Sequence, residues 1–599
     1  MCRKSIIIKT TDNMKKLMQW AIAAALICSS TVFTGCSKSD DNQEPVVKPE
    51  QPDDNGANSS SDDIGYIECS WNGTEVVKTP KVVRAQDIRD LNFRDGSCHI
   101  SGAYYISGSY SIPDNILNVD GSAAIILCDG AELSVQRISV NNGATLRIFA
   151  QEKGTGHLTA IVPDKSDEYY PAIGAFKGDG GRVEIHGGNV DAKGGNVSAG
   201  IGGGSNDSDV FSDNANLAEI TIYGGRVYGR GKGGAGIGAG GKNTAVKTTI
   251  NIYDGLVQGD GSISSNDYGK YFGAGIGGGH QSSFGSVNIY GGTVSAFGYD
   301  DCAGIGAGED APNAEGIVNI YGGKVIAQGG ARGAGIGGGD DRRLNEINIH
   351  GGEVYAYAGA DGAGIGGGEG SGDPANLPGI DNFVGNSGNI TITGGIVYAY
   401  GNKNYEGKNI DGYGAGIGSG QDGSVNNITI TGGTIYAYGG EDAAGIGTGE
   451  EYSAEGINSG NIIIAGGNVF AQGKGYGAGI GAGEEATCGL ISIGGCRVEA
   501  RAGGDCGPWS GSFGAYHEGH GASSVCDAGW YGYDRIYVAK GMRLSTYSAN
   551  VGHTEDVTTN LHWWSFLHQR PVAVFDVCDH FGYDEASCPY CIKETIVLR

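Results

Sequence analysis

Ile347-Asn-Ile-His-Gly-Gly-Glu-Val-Tyr-Ala356 and, close behind it, Ala363-Gly-Ile-Gly-Gly-Gly368 recur in the same order along much of the chain. The first generalises to I-x-I-x-G-G-x-V-x-A. It returns at Ile220 to Gly229, Val287 to Ala296, Val318 to Ala327, Ile390 to Ala399, Ile428 to Ala437 and Ile491 to Ala500. The second, A-G-I-G-x-G, starts at Ala199, Ala235, Ala274, Ala303, Ala334, Ala363, Ala415, Ala444 and Ala478, at a tightest spacing of about 29 residues. Alternate apolar positions in I-x-I and V-x-A turn one face of a short strand inward, and the Gly-Gly pair between them supplies a bend. A third strand fits Ala-Gly-Ile-Gly. Three strands that cannot bury a face alone must stack on their neighbours, about 4.8 Å apart, which predicts an all-β solenoid, a parallel β-helix. A propeller blade needs about 40 residues and four antiparallel strands, more than this period holds. Longer gaps, such as the one holding Asp373 to Ser387, read as loops on one edge.

Composition agrees. A chain of 599 residues exceeds one ordinary compact core, and its 115 glycines with only 13 prolines follow no Gly-X-Y period. The net charge of -27 excludes the basic surface that nucleic acid or anionic membrane requires, and leaves cations or neutral sugars as easier partners. Solubility of an exported protein accounts for the total acidity better than either partner does.

The chain opens with export chemistry. After Met14 come Lys15 and Lys16, an apolar run from Ala21 to Ile27, and Phe33-Thr34-Gly35-Cys36. The last four residues resemble a lipobox, with Phe33 in place of the usual Leu, which makes Cys36 the expected lipid anchor. An ordinary secretory signal with an incidental cysteine is the other reading. The Pro-, Asp- and Ser-rich stretch to Asp63 is a solvated tether. Its Ser37-Lys38-Ser39-Asp40-Asp41 start resembles the signal that places lipoproteins on the outer leaflet of Gram-negative gut bacteria, and equally fits plain linker chemistry. The expected location is therefore the outer membrane, lipid-anchored and facing outward.

Ile125-Ile-Leu-Cys-Asp-Gly-Ala-Glu-Leu133, Gly143-Ala-Thr-Leu-Arg-Ile-Phe149 and Gly154-Thr-Gly-His-Leu-Thr-Ala160 resemble the opening coils of pectin-lyase-like β-helix repeat proteins of gut-bacterial surfaces. The G-A-G-I-G-G-G units resemble their body, so the likeness spans roughly residues 100 to 520. It implies a right-handed β-helix and a carbohydrate-binding or adhesin-like role, without one shared activity, since the scaffold also carries lyases, hydrolases and inert stalks. The expected organisation is a signal peptide (1–36), a tether (37–63), an N-terminal cap (64–104), the β-helix (105–508) and a C-terminal cap (509–599). Trp530, Tyr531, Trp563, Trp564 and Phe566 would give the last segment a small core.

Three groups of residues carry chemistry. Tyr355 and Tyr357, Tyr398 and Tyr400, and Tyr436 and Tyr438, followed by Phe470, flank the inward alanine of V-x-A, so stacked coils would set them in two outward rows able to stack on sugar rings. Tyrosine also simply suits strand surfaces. Acids follow A-G-I-G-x-G: Glu309 and Asp310, Asp340 and Asp341, Glu369, Asp422, Glu450 and Glu451, Glu484 and Glu485. Alignment would crowd these carboxylates, which calcium between turns or plain solvation would accommodate. Near the end, Cys578, His580, Cys588 and Cys591 make a three-thiolate, one-imidazole set suited to structural zinc. Disulfides, with Cys488, Cys496, Cys506 and Cys526 nearby, are the alternative there.

No carboxylate pair stands apart from its repeat as polysaccharide cleavage would need. His186-Gly187 and His350-Gly351 occupy a slot often held by Tyr and read as members of a stacked row. The expected function is therefore a surface lipoprotein presenting a β-helix to glycans or host-surface components. A glycan-degrading lyase or hydrolase and a ligand-free spacer are the rivals.

Overall fold

The computed structural model describes residues 61–164, 168–176, 180–205, 215–242, 248–266, 269–309, 316–340, 344–370, 387–401, 403–404, 406–409, 412–451 and 458–503, and the strands 513–516, 536–538, 542–547, 554–556, 572–577 and 596–598. It is a right-handed parallel β-helix. In one representative coil Leu344–Ile349 forms the I-x-I strand, Glu353–Tyr357 the V-x-A strand and Ile365–Gly366 the third. Each pairs in parallel with its counterpart one repeat on: Ile347 with Ile390, Val354 with Val397 and Ile365 with Ile417. These pairs lie on either side of the insert Asp373 to Ser387, so coil register passes it unshifted.

The period of two explains the core. Ile347, Ile349, Val354, Ala356 and Ile365 are fully buried, and their equivalents in neighbouring coils continue each column. Burying one such branched side chain contributes about 2 kcal/mol, repeated in every coil. The A-G-I-G column has a stricter demand. Gly366 lies at φ +136°, and a Cβ there would come 1.7 Å from the carbonyl oxygen of Gly418 in the next coil. Gly418 stands in the same relation to Gly447. Only glycine allows that backbone approach, which is why the motif repeats so strictly.

Antiparallel pairs occur on both sides of the coils in sequence. Ser61–Trp71 and Val76–Asp87 form a hairpin whose turn is tied by Asn72 Oδ1, which accepts from the backbone N–H groups of Thr74 and Glu75. Beyond the last V-x-A strand, Arg497–Arg501, the strand Val572–Val577 pairs antiparallel, while Ile536–Val538 extends the I-x-I sheet and takes Ile596–Leu598 antiparallel. Opposed strands of this kind stop a sheet from recruiting further chains. Cys488 is disulfide-bonded, whereas Cys496 keeps a free thiol that burial pushes up to about 11. Cys36, Cys506 and Cys526, the set Cys578, His580, Cys588 and Cys591, and the bulky residues Trp530 to Phe566 lie outside the described residues.

Candidate functional site

Register turns the repeated tyrosines into two columns. Tyr355 pairs with Tyr398 and Tyr398 with Tyr436, and Tyr357, Tyr400 and Tyr438 do the same two residues on. In the first row the ring centroids are 4.9 Å apart at both steps, with planes 8° and 7° from parallel. In the second they are 5.1 Å apart, at 8° and 4°. Phe470 ends both rows, tilted 44° and 50° to its neighbours. Val354, Ala356 and their equivalents are buried beneath, so all six rings face outward and are half-buried by one another. Burial in the stack raises the phenols of Tyr355, Tyr357, Tyr400 and Tyr438, so their hydroxyls remain protonated donors at neutral pH. Cations mark the margin: Lys324 Nζ lies 5.3 Å from the Tyr355 ring, Lys403 Nζ 5.5 Å from Tyr400, and the Arg501 guanidinium 5.0 Å from Phe470.

A second aromatic column, on the I-x-I sheet, runs Phe149, His186, Tyr223, Tyr253, Tyr290, Tyr321 and His350, with successive centroids 4.4 to 5.2 Å apart. Both histidines occupy tyrosine slots and stack as tyrosines do. The N-terminal hairpin lies along this column. Tyr66 packs on Phe149, the Cys69 N–H donates to His186 Nδ1 at 3.0 Å, and Trp71 stacks on Tyr253 at 5.0 Å and meets Tyr290 at a tilt of 45° and 5.5 Å. The repeats supplied the column, but Tyr66, Cys69 and Trp71 lie outside any repeat. Only the aromatic and apolar spacing of Ile64-Gly-Tyr66-Ile67 and Trp71 hinted at a strand.

The acidic edge resolves into different local solutions. Glu309 Oε2 lies 2.7 Å from His280 Nδ1, and Arg332 reaches Asp340, Glu369 and Asp301 at 3.0, 3.1 and 3.7 Å. The His280 imidazole and the Arg332 guanidinium thus lie against Glu309 and Asp340, two of the acids at which calcium was expected; Asp310 and Asp341 lie outside the described residues. Farther on, Asp442, Glu450 and Glu484 bring carboxylate oxygens within 4.8 Å of one another. Asp442 precedes its A-G-I-G motif, at a position that varies from repeat to repeat, yet both flanks of the motif fold to the same edge. Burial, then the charges of Asp442 and Asp422, push Glu450 up to about 7, and Gln421 donates to its carboxylate at 3.1 Å. Glu451 and Glu485 are the sequence neighbours of this triad. The triad has the oxygen donors a calcium ion takes, and a proton on Glu450 answers the same crowding.

A family model described as a beta helix repeat matches 183–205, 287–309, 318–340, 347–369, 390–421, 428–450 and 462–484. The chain carries β-helix repeats. Three of these repeats, 347–369, 390–421 and 428–450, each contribute one pair of the six tyrosines. No curated protein and no solved structure matches the chain.

Proposed function

We propose that this protein is a lipoprotein, anchored through Cys36 at the outer membrane, that presents a β-helix to glycans at the cell surface. The single supporting observation is the double tyrosine row. Among the described residues, the ring–ring contacts of these six tyrosines are all with one another or with Phe470. Flat, stacked aromatic area with protonated phenols at its border suits the apolar face and hydroxyl rim of a sugar. The full chain on a glycan array, compared with a Tyr398→Ala, Tyr436→Ala variant, tests this reading. Binding by the first and its loss in the second supports it; equal binding by both overturns it, and an array with no binding favours a plain spacer.

A second reading, cleavage of the bound glycan, is favoured by the Asp442, Glu450 and Glu484 triad, which joins a carboxyl raised to about 7 with carboxylates inside 4.8 Å. Release of reducing ends from a polysaccharide panel, abolished by Glu450→Gln, would establish it. A calcium ion at the same triad and zinc at Cys578, His580, Cys588 and Cys591 are the proposed structural ions, to be checked by metal analysis of the full chain.

A further inference from the structure

Two outward columns of the I-x-I sheet shorten together at one coil boundary. Up to Leu344–Ile349 one runs Asn251, Asn288, Asn319 and Asn348 and another Tyr253, Tyr290, Tyr321 and His350, while the third varies through Thr249, Ser286 and Ile317 to Glu346. From Ser387–Ile392 onward the columns of Glu346, Asn348 and His350 carry Asn389, Thr391 and Thr393, then Asn427, Thr429 and Thr431. This simultaneous shortening leaves a polar depression of about 500 Å³, bounded by Glu346 and Asn348 on one side and Ile463 on the other.

Hydrogen bonding changes at the same step. Before it, Asn288, Asn319 and Asn348 each donate a carboxamide N–H to the preceding Asn at 3.0, 2.8 and 3.0 Å, so the column satisfies itself. After it, Asn427 donates to Asn389 at 3.2 Å, but the hydroxyls of Thr391 and Thr429 have no protein partner among the described residues. Uncommitted hydroxyls therefore repeat at the coil rise of about 4.8 Å, close to the advance of one pyranose along a glycan. Among the described residues of the lining Glu346 is the one ionisable group, and none of them is a cation that would balance a uronate, sulfate or phosphate.

The depression opens in the coils that begin the tyrosine rows. Round one coil the outward side chains read Asn389, Thr391 and Thr393, then the bend at Gly394 and Gly395, then Ile396, Tyr398 and Tyr400. Gly395 adopts φ +87°, and neither glycine carries a side chain that would raise a barrier between the two faces. We infer that Asn389, Thr391, Asn427 and Thr429 form a hydrogen-bonding subsite for an uncharged, hydroxyl-rich polysaccharide. The inference rests on the glycan reading above for its ligand class, and on different residues for its site.

The full chain is titrated calorimetrically with the uncharged hexaoses of the cello, malto, manno and xylo series and with hexagalacturonate. Thr391→Val with Thr429→Val removes both hydroxyls while keeping β-branched shape and strand preference, and circular dichroism with a thermal melt verifies the fold. Expected is binding of at least one uncharged hexaose, weakened tenfold or more in the valine variant. Equal affinity of the valine variant overturns the subsite; if Tyr398→Ala, Tyr436→Ala still loses that hexaose, the tyrosine reading survives alone. Tighter binding of hexagalacturonate than of every uncharged hexaose overturns the ligand class and leaves the tyrosine reading standing. Binding of none of the five overturns the subsite outright.

Discussion

The molecule builds two aromatic columns by the same means and treats them differently. The column from Phe149 to His350 is overlaid between Phe149 and Tyr290 by the chain's own hairpin, with Tyr66, Cys69 and Trp71 set against Phe149, His186, Tyr253 and Tyr290, while Tyr321 beyond them is exposed. The double row from Tyr355 to Tyr438 makes its ring–ring contacts, among the described residues, only with its own members and Phe470, with Lys324 and Lys403 at its margin and the Tyr355 hydroxyl donating to Glu353. Stacking by itself is thus a by-product of register in a β-helix. What separates a structural column from a presented one is whether another part of the chain lies over it.

The largest effect expected strikes the frame beneath both columns. Gly366→Ala forces a Cβ into the Gly418 carbonyl at positive φ, and a loss of about 3 kcal/mol or more should appear as an early denaturation step. An unchanged denaturation profile would mean that the coils are not packed as closely as described. Next, Trp71→Ala should cost about 2 kcal/mol of stability and leave glycan binding unaltered, because its rings serve the covered column. The contrast is sharpened by Tyr398→Ala with Tyr436→Ala, for which binding should fall tenfold or more, about 1.4 kcal/mol, with a smaller change in melting. If that variant instead loses stability as Trp71→Ala does and keeps its ligand, the two columns are equivalent.

The smallest effect concerns pH. Glu450 is raised to about 7 in the fold, so its stabilising contribution is complete below the ordinary carboxyl value and is lost as pH rises through about 7. Solvent screening of this half-exposed group limits the gain between pH 8 and pH 5 to about 1 kcal/mol. Glu450→Gln should flatten that part of the profile, and calcium at pH 8 should restore the lost stability. Thermal melts at the two pH values, with calcium and with a chelator, read both effects.

The fold was legible because its information is periodic. I-x-I, G-G, V-x-A and A-G-I-G each name a place in the coil, and a residue's column follows from its motif position. The tyrosine rows were legible for the same reason. What the repeats do not contain stayed hidden: the hairpin bearing Tyr66 and Trp71 meets coils far off in sequence, and no periodicity announces which ones. Arg332 and His280, which bond to Glu369, Asp340 and Glu309, lie in turn segments where composition varies between repeats. The Asn column from Asn251 to Asn348 was present in the pattern, but amides at an outward strand position draw notice only once their bonds to one another are visible.

The close fit of Gly366 against Gly418 has one more consequence. Because such a turn seats only on another of its kind, the chain can gain or lose material there in whole modules and not in fractions. A duplication of one module of about 29 residues would lengthen every outward row by one place at once. Reach along a ligand would then be set by counting modules, leaving the chemistry of each place untouched.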